Sequence, residues 1–342
     1  MAPSGNFKKL AANRAAIDLK QIVKNLSTAP MEGSDGKEYC AQLLSVVIEQ
    51  HYPAPGTADG IEDICASIHK AGAIKPLVQL IADGNDGAQI YAASTLAALA
   101  ANNEERSDQI AYAGGVKPLV EVLRAGSQKA QMYAASAIAS LSEDHEHQRP
   151  IIKAGAIAPL VRLVRVGIAD AQISAAFAIA NLADGNLDAQ NAVASAGCVP
   201  LLLVMLGAGS AQMSAAKALA KLAYGNRAIQ DLIASEGGIS PLLALLNGVN
   251  IPAQVEAASA LANLARDNED TQTMIFKAGG IGPLLALLPA RSVQAQARGA
   301  EALAQLARYA RAHAAAQRSM VMGSMNLSVH VHDYQHDGCL VA

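Results

Sequence analysis

The sequence predicts an all-α solenoid, a stack of short helices repeated along the chain, and three observations carry that prediction. A Gly followed by Pro-Leu recurs at Gly72/Pro76, Gly114/Pro118, Gly155/Pro159, Gly197/Pro200, Gly237/Pro241 and Gly279/Pro283, at intervals of 40 to 42 residues. A Gln leading into a run of small residues keeps step with it, at Gln89, Gln131, Gln172, Gln212, Gln254 and Gln296. Composition agrees: the chain is 52% apolar but only 3% aromatic and 16% charged. A core-rich chain built on Ala and Leu suits an array whose inner helices are each sandwiched between neighbours. An array also lengthens without a second core, so 342 residues need not mean several globular domains.

The elements follow in order. Residues 7–27 form a basic helical pattern with Leu19, Ile22, Val23 and Leu26 on one face and Lys8, Lys9, Arg14, Lys20 and Lys24 elsewhere. Residues 37–50 read as a second helix with Ala41, Leu44 and Ile48 inward, followed by a loop, HYPAPGTADG. Together these make an N-terminal helical cap over residues 1–56, because an open solenoid end must cover its apolar face. Contact of the basic helix with anionic lipid, or its return into the array as an autoinhibitory segment, are the alternatives.

Six repeats then occupy 57–310. In the unit Asn103–Leu141, EERSDQIAYAGG reads as a first helix stopped at Gly114, since glycine tolerates the positive φ that often closes a helix. Pro118 lies in the first turn of a second helix, where its missing N–H costs nothing, and Leu119, Val120 and Leu123 share one face. A third helix, QMYAASAIASLS, places Ala134, Ala135, Ile138 and Leu141 on one stripe. The segment SEDHEHQRP, with His145 and His147, reads as a solvated inter-repeat loop. The last helix carries Arg298, Arg308, Arg311 and Arg318, and residues 311–342 complete it and add a polar, His-rich tail.

Several function classes fall away. A net charge of −3 gives no basic field for nucleic acid. The start lacks a signal-peptide core, and the longest greasy run, 200–206, is too short to span a bilayer. The cysteines form no CxxC pair; Cys40, Cys65 and Cys198 sit in apolar helical contexts that suit buried thiols in a reducing compartment. Nucleotide loops, nucleophile elbows and paired metal-site helices do not occur, so neither enzyme activity, nor a cofactor, nor a metal site is expected. His330, His332, His336 and Cys339 have zinc-ligand chemistry but no framework around them. Cys339-Leu340-Val341-Ala342 fits a prenylation pattern without the polybasic neighbour that would reinforce it. The cytoplasm is the expected location, with the nucleus or a membrane surface as alternatives.

The runs AGAIKPLVQLI (71–81), AGAIAPLVRLV (154–164) and QISAAFAIANLA (172–183) resemble the second and third helices of armadillo repeats. The resemblance implies a right-handed superhelix whose third helices line a concave groove that binds extended peptides or partner proteins. In peptide-binding members a Trp and, four residues later, an Asn on the third helix make the groove. This chain has no Trp; the Trp-equivalent positions are Ser94, Ser136, Phe177, Lys217, Ser259 and Glu301. The Asn-equivalent positions are Ala98, Ser140, Asn181, Lys221, Asn263 and Gln305, so three amides retain backbone-clamping chemistry. One turn earlier stand Tyr91, Tyr133, Ser174, Ser214, Glu256 and Arg298, and one turn later Ala101, Glu143, Asp184, Tyr224, Arg266 and Arg308. The first half thus carries tyrosines, serines and the acids Glu143 and Asp184, and the second half mostly cations. The expected function is therefore a scaffold or adaptor that binds an extended protein segment, with an acidic preference towards the C-terminal half. Nuclear-transport adaptor and lipid-anchored organiser are the alternatives.

Overall fold

The computed structural model describes residues 18–29, 36–50, 59–290, 292–308 and 311, and every regular element among them is an α-helix. They fall into two compact units, one ending at Leu202 and one beginning at Leu203. The basic residues Lys8, Lys9 and Arg14, the tail with Cys339, and Arg318 lie outside the described residues.

The first unit opens with α1 (Leu19–Thr28), which buries Val23 and Leu26 against α2 (Lys37–Gln50). Repeat one comprises α3 (Asp59–Lys70), α4 (Ile74–Asp83) and α5 (Asp86–Ala100). Repeat two comprises α6 (Glu104–Tyr112), α7 (Val116–Ala125) and α8 (Gln128–Leu141). Repeat three comprises α9 (His145–Lys153), α10 (Ile157–Val166) and α11 (Ala169–Leu182), and α12 (Leu187–Ser195) opens repeat four. Helices α2, α5, α8 and α11 pack side by side in that order. Thus α2 takes the place of a third helix and starts the stack. The boundary between the units falls inside α13 (Cys198–Met205).

The second unit contains α14 (Gln212–Ala223), α15 (Arg227–Ser235), α16 (Ile239–Leu246), α17 (Ile251–Ala265), α18 (Glu269–Lys277), α19 (Ile281–Ala286) and α20 (293–308). Here α14 and α17 lie side by side, and α16 packs on α17 as α4 packs on α5.

Each landmark in the sequence has a physical use. The repeated glycine follows the first helix in the left-handed region, with φ +81° at Gly114 and +84° at Gly155, where a Cβ would cost about 1–2 kcal/mol. The repeated glutamine ties the second helix to the third: Gln89, Gln172 and Gln254 donate Nε2 to the carbonyls of Ile81, Val164 and Leu246. Those carbonyls lack intrahelical partners, and each bond adds about 1 kcal/mol. Third helices start earlier than the glutamine suggests, at Asp86 in α5 and Gln128 in α8, because Asn85 and Ser127 cap them.

A second set of bonds staples each first helix to the preceding third helix. Gln148, Gln190, Gln230 and Gln272 donate to the carbonyls of Ser142, Ala183, Ala223 and Ala265. In α6 the buried Arg106 bonds the Leu99 carbonyl through Nε and grips Glu62 with both terminal nitrogens, at 2.7 and 2.8 Å. This hydrogen-bonded guanidinium holds the Glu62 carboxyl below its ordinary range. The expected loop SEDHEHQRP is instead mostly helix: Asp144 caps the Glu146 N–H, α9 begins at His145, and His147 is buried. The polar run is a first helix whose inward positions are His147, Gln148 and Ile151, so hydropathy alone hid it.

Candidate partner-binding face

In both units the third helices turn one stripe of alanines and leucines inward. Ala92, Ala93 and Leu96 in α5 are fully buried, as are Ala257, Ala258 and Leu261 in α17. The residues between these stripes form the candidate face, and its chemistry differs between the units.

On the first unit the face is built of hydroxyls and amides that are already hydrogen-bonded, with the Glu49 carboxylate beside them. Gln42 of α2 donates to the Tyr91 hydroxyl at 2.8 Å, and Ser45 donates to the Ser94 hydroxyl at 3.2 Å. Burial, followed by the nearby Glu49 carboxylate, pushes the Tyr133 hydroxyl above its ordinary range, and a hydrogen bond with Ser94 opposes it. Gln42, Ser45 and Glu49 were not legible as face residues, since Gln42 lies 49 positions before Tyr91 whereas the repeats keep to 40–42. Extra residues in the sequence between α2 and α3 hide the register. Phe177 and Asn181 follow on α11, both half-buried.

Asn181 donates Nδ2 to the Ala139 carbonyl at 3.0 Å, and Asn263 donates to the Ala220 carbonyl at 2.9 Å. Both acceptors lie in the last turn of the preceding third helix, where no intrahelical N–H serves them. Each asparagine therefore caps the neighbouring helix from the next repeat. Whatever else these side chains bond, removing them also removes a link of the stack. Gln305 is buried, 6% exposed.

On the second unit the face is charged. Lys217 and Lys221 stand one turn apart on α14, and Glu256 stands on α17 beside it. Burial pushes the Glu256 carboxyl above its ordinary range, while Lys217, Lys221 and Arg298 pull the other way. Arg266 lies 5.3 Å from the centre of the Tyr224 ring and pairs through Nη2 with Glu301 at 2.7 Å. Arg298 pairs with the other Glu301 oxygen at 2.9 Å. Arg298, Arg308 and Tyr224 are exposed. The sequence predicted a mixture of cations and acids here; the structure shows Glu301 holding two arginines in place and Glu256 set among three cations.

Among the described residues the thiols are buried and poorly placed to act as nucleophiles. Cys40, Cys65 and Cys198 are buried, and burial pushes the Cys198 thiol up to about 12 and the Cys65 thiol up as well. No single described helix is long and apolar enough to cross a membrane.

Comparison with known proteins agrees with this architecture. The armadillo/beta-catenin-like repeat profile matches residues 226–266, the stretch from the α15 cap to the end of α17. None of the curated protein sequences matches. Among solved structures, an engineered protein is 32% identical over 69% of this chain and 97% of its own, with a TM-score of 0.64. A second engineered protein is 27% identical, covering 84% of this chain and 78% of its own at a TM-score of 0.66. A designed armadillo repeat protein aligns with 84% of this chain and all of its own, at 24% identity and a TM-score of 0.51. With three helices to the repeat, a left-handed glycine between the first two and third helices stacked side by side, the chain belongs to the armadillo repeat family.

Proposed function

We propose that the protein is a non-catalytic binding scaffold and that the third-helix face of its second unit takes an acidic, extended protein segment. The observation that carries this reading is the charge on α14, α17 and α20. Lys217, Lys221, Arg266 and Arg298 stand against Glu256 and Glu301, an excess of two positive charges (four less two) on a chain whose net charge is −3. Arg and Tyr are favoured interface anchors, and the Glu301 pairs hold both guanidinium groups in fixed orientations, so less side-chain entropy is lost on binding. Designed armadillo repeat proteins built for modular peptide recognition share the fold at a TM-score of 0.50, which supports a peptide or protein segment as the ligand.

The test is fluorescence anisotropy with a labelled peptide of alternating Glu and Ser, beside a Lys/Ser control. The acidic peptide should bind and weaken as salt rises. The double variant Lys217→Glu/Lys221→Glu should lose at least about tenfold in affinity, the scale of removing favourable charge contacts at an interface. Equal binding of both peptides, or an unchanged affinity in the double variant, would overturn the reading. Charge reversal is a cleaner probe than alanine at Asn181 or Asn263, because those amides also hold the stack together.

A further inference from the structure

We infer that Asp108, Asp144 and His147, where repeat two meets repeat three in the first unit, form a binding site for a divalent metal cation. One donor atom from each residue lies within 4.8 Å of those of the other two, and His147 is buried. The orientation of the imidazole is fixed from behind: Nδ1 lies 3.2 Å from the Leu141 carbonyl oxygen. A carbonyl can only accept, so Nδ1 carries the hydrogen, and in the neutral ring Nε2 is a lone pair. That lone pair faces the Asp108 Oδ1 at 3.2 Å, a second acceptor. Two acceptors in contact require a positive centre, a proton or a metal ion, and the third donor that Asp144 brings within 4.8 Å favours the metal.

The spacing fits a metal ion. Ligands in adjacent positions around a cation at about 2.1 Å lie roughly 3 Å apart, close to the observed Nε2–Oδ1 separation. An imidazole whose other nitrogen donates to a backbone carbonyl is also the usual arrangement of a metal-ligating histidine. Asp144 supplies the third donor. It caps the Glu146 N–H with one oxygen, and a carboxylate has a second oxygen with lone pairs of its own. Imidazole with two carboxylates suits manganese or zinc, with water completing the shell on the side where Asp108 is half-exposed.

The second unit contains the same backbone position without the site. There the cap is Asn268, whose amide donates to Asp231 at 2.8 Å, and Thr271 stands where His147 does. An amide satisfies the aspartate that Asp144 cannot. Of the first-helix caps Asn103, Asp144, Asn186, Asn226 and Asn268, the acid occurs where the histidine occurs. A cation at this point would staple α6 to the start of α9.

The experiment is isothermal titration of the full chain, freed of metal by chelation, with Mn2+ and separately with Zn2+. Wild type is compared with Asp144→Asn and Asp108→Asn. Asparagine is a good N-cap, so Asp144→Asn should keep its circular dichroism while losing one Mn2+ site or weakening it by at least about tenfold. Subtraction of the variants removes cations bound by other histidines of the chain. Wild-type protein should also melt at a higher temperature with Mn2+ than without it, and Asp144→Asn should not. If wild type binds neither ion, or binds both with the same stoichiometry and affinity as the two variants, the inference is wrong and a proton on Nε2 joins the pair instead.

Discussion

The third-helix faces of the two units stand on one backbone repeat and yet differ in chemistry, hydroxyls beside a carboxylate on the first and cations in excess on the second. On the first unit, Tyr91, Ser94 and Tyr133 are neutral, and their hydroxyls are engaged by Gln42, Ser45 and one another's neighbours. On the second, Lys217, Lys221, Arg266 and Arg298 surround two carboxylates. The inward stripe shows no such divergence: Leu96, Ile138, Ile179, Leu219 and Leu261 occupy one repeat position and all are fully buried. The difference teaches where an array is constrained. Inward positions must fill a shared core, whereas positions between the stripes answer to whatever the face binds.

The largest effect expected tests the sameness of the core. Leu96→Ala in the first unit and Leu261→Ala in the second should each cost about 2–5 kcal/mol, since both side chains are fully enclosed. Hydrogen exchange resolved by segment would show the loss within the unit that carries the change. A large cost in one unit and none in the other would break the equivalence.

A smaller effect is expected at the asparagine links. Asn181→Ala and Asn263→Ala each remove one bond to the preceding third helix, worth about 1 kcal/mol. Urea melts should shift by similar amounts for both. A stable Asn181→Ala beside a destabilised Asn263→Ala would mean that the two links are not equivalent.

The smallest effect concerns charge. Glu256 has its carboxyl raised chiefly by burial, so folding favours its protonated form. The contribution of Glu256 to stability should therefore be present below about pH 4.5 and fall as pH rises through its raised folded-state value, the unfolded-state carboxyl being ionised first. Glu256→Gln should stabilise the second unit at pH 7 and give no advantage at pH 4 or below. Melting temperatures across pH 4–8 measure this, and a constant difference across that range would contradict it. No such dependence is expected from the neutral residues of the first face.

Much of the fold was legible. The Gly/Pro-Leu landmark marked the turn between first and second helices, and the small-residue stripe marked the third helices, because backbone conformation and close packing each demand particular residues locally. The face was half legible. Its positions followed from period and resemblance, but Gln42 and Ser45 did not, since extra residues in the sequence broke the period there. His147 was misread as a loop residue because a helix whose buried face is His, Gln and Ile carries little hydropathy signal.

By itself, then, the sequence determined the repeat, its three helices and the charge carried by each stretch, all properties of residues near one another in the chain. Tertiary structure alone decided which side chains meet across repeats. Asn181 reaches a carbonyl 42 positions back, Glu301 gathers Arg266 and Arg298, and Asp108 faces His147. Such pairings depend on how far each helix rotates against its neighbour, a quantity set by the packing of the buried stripe as a whole.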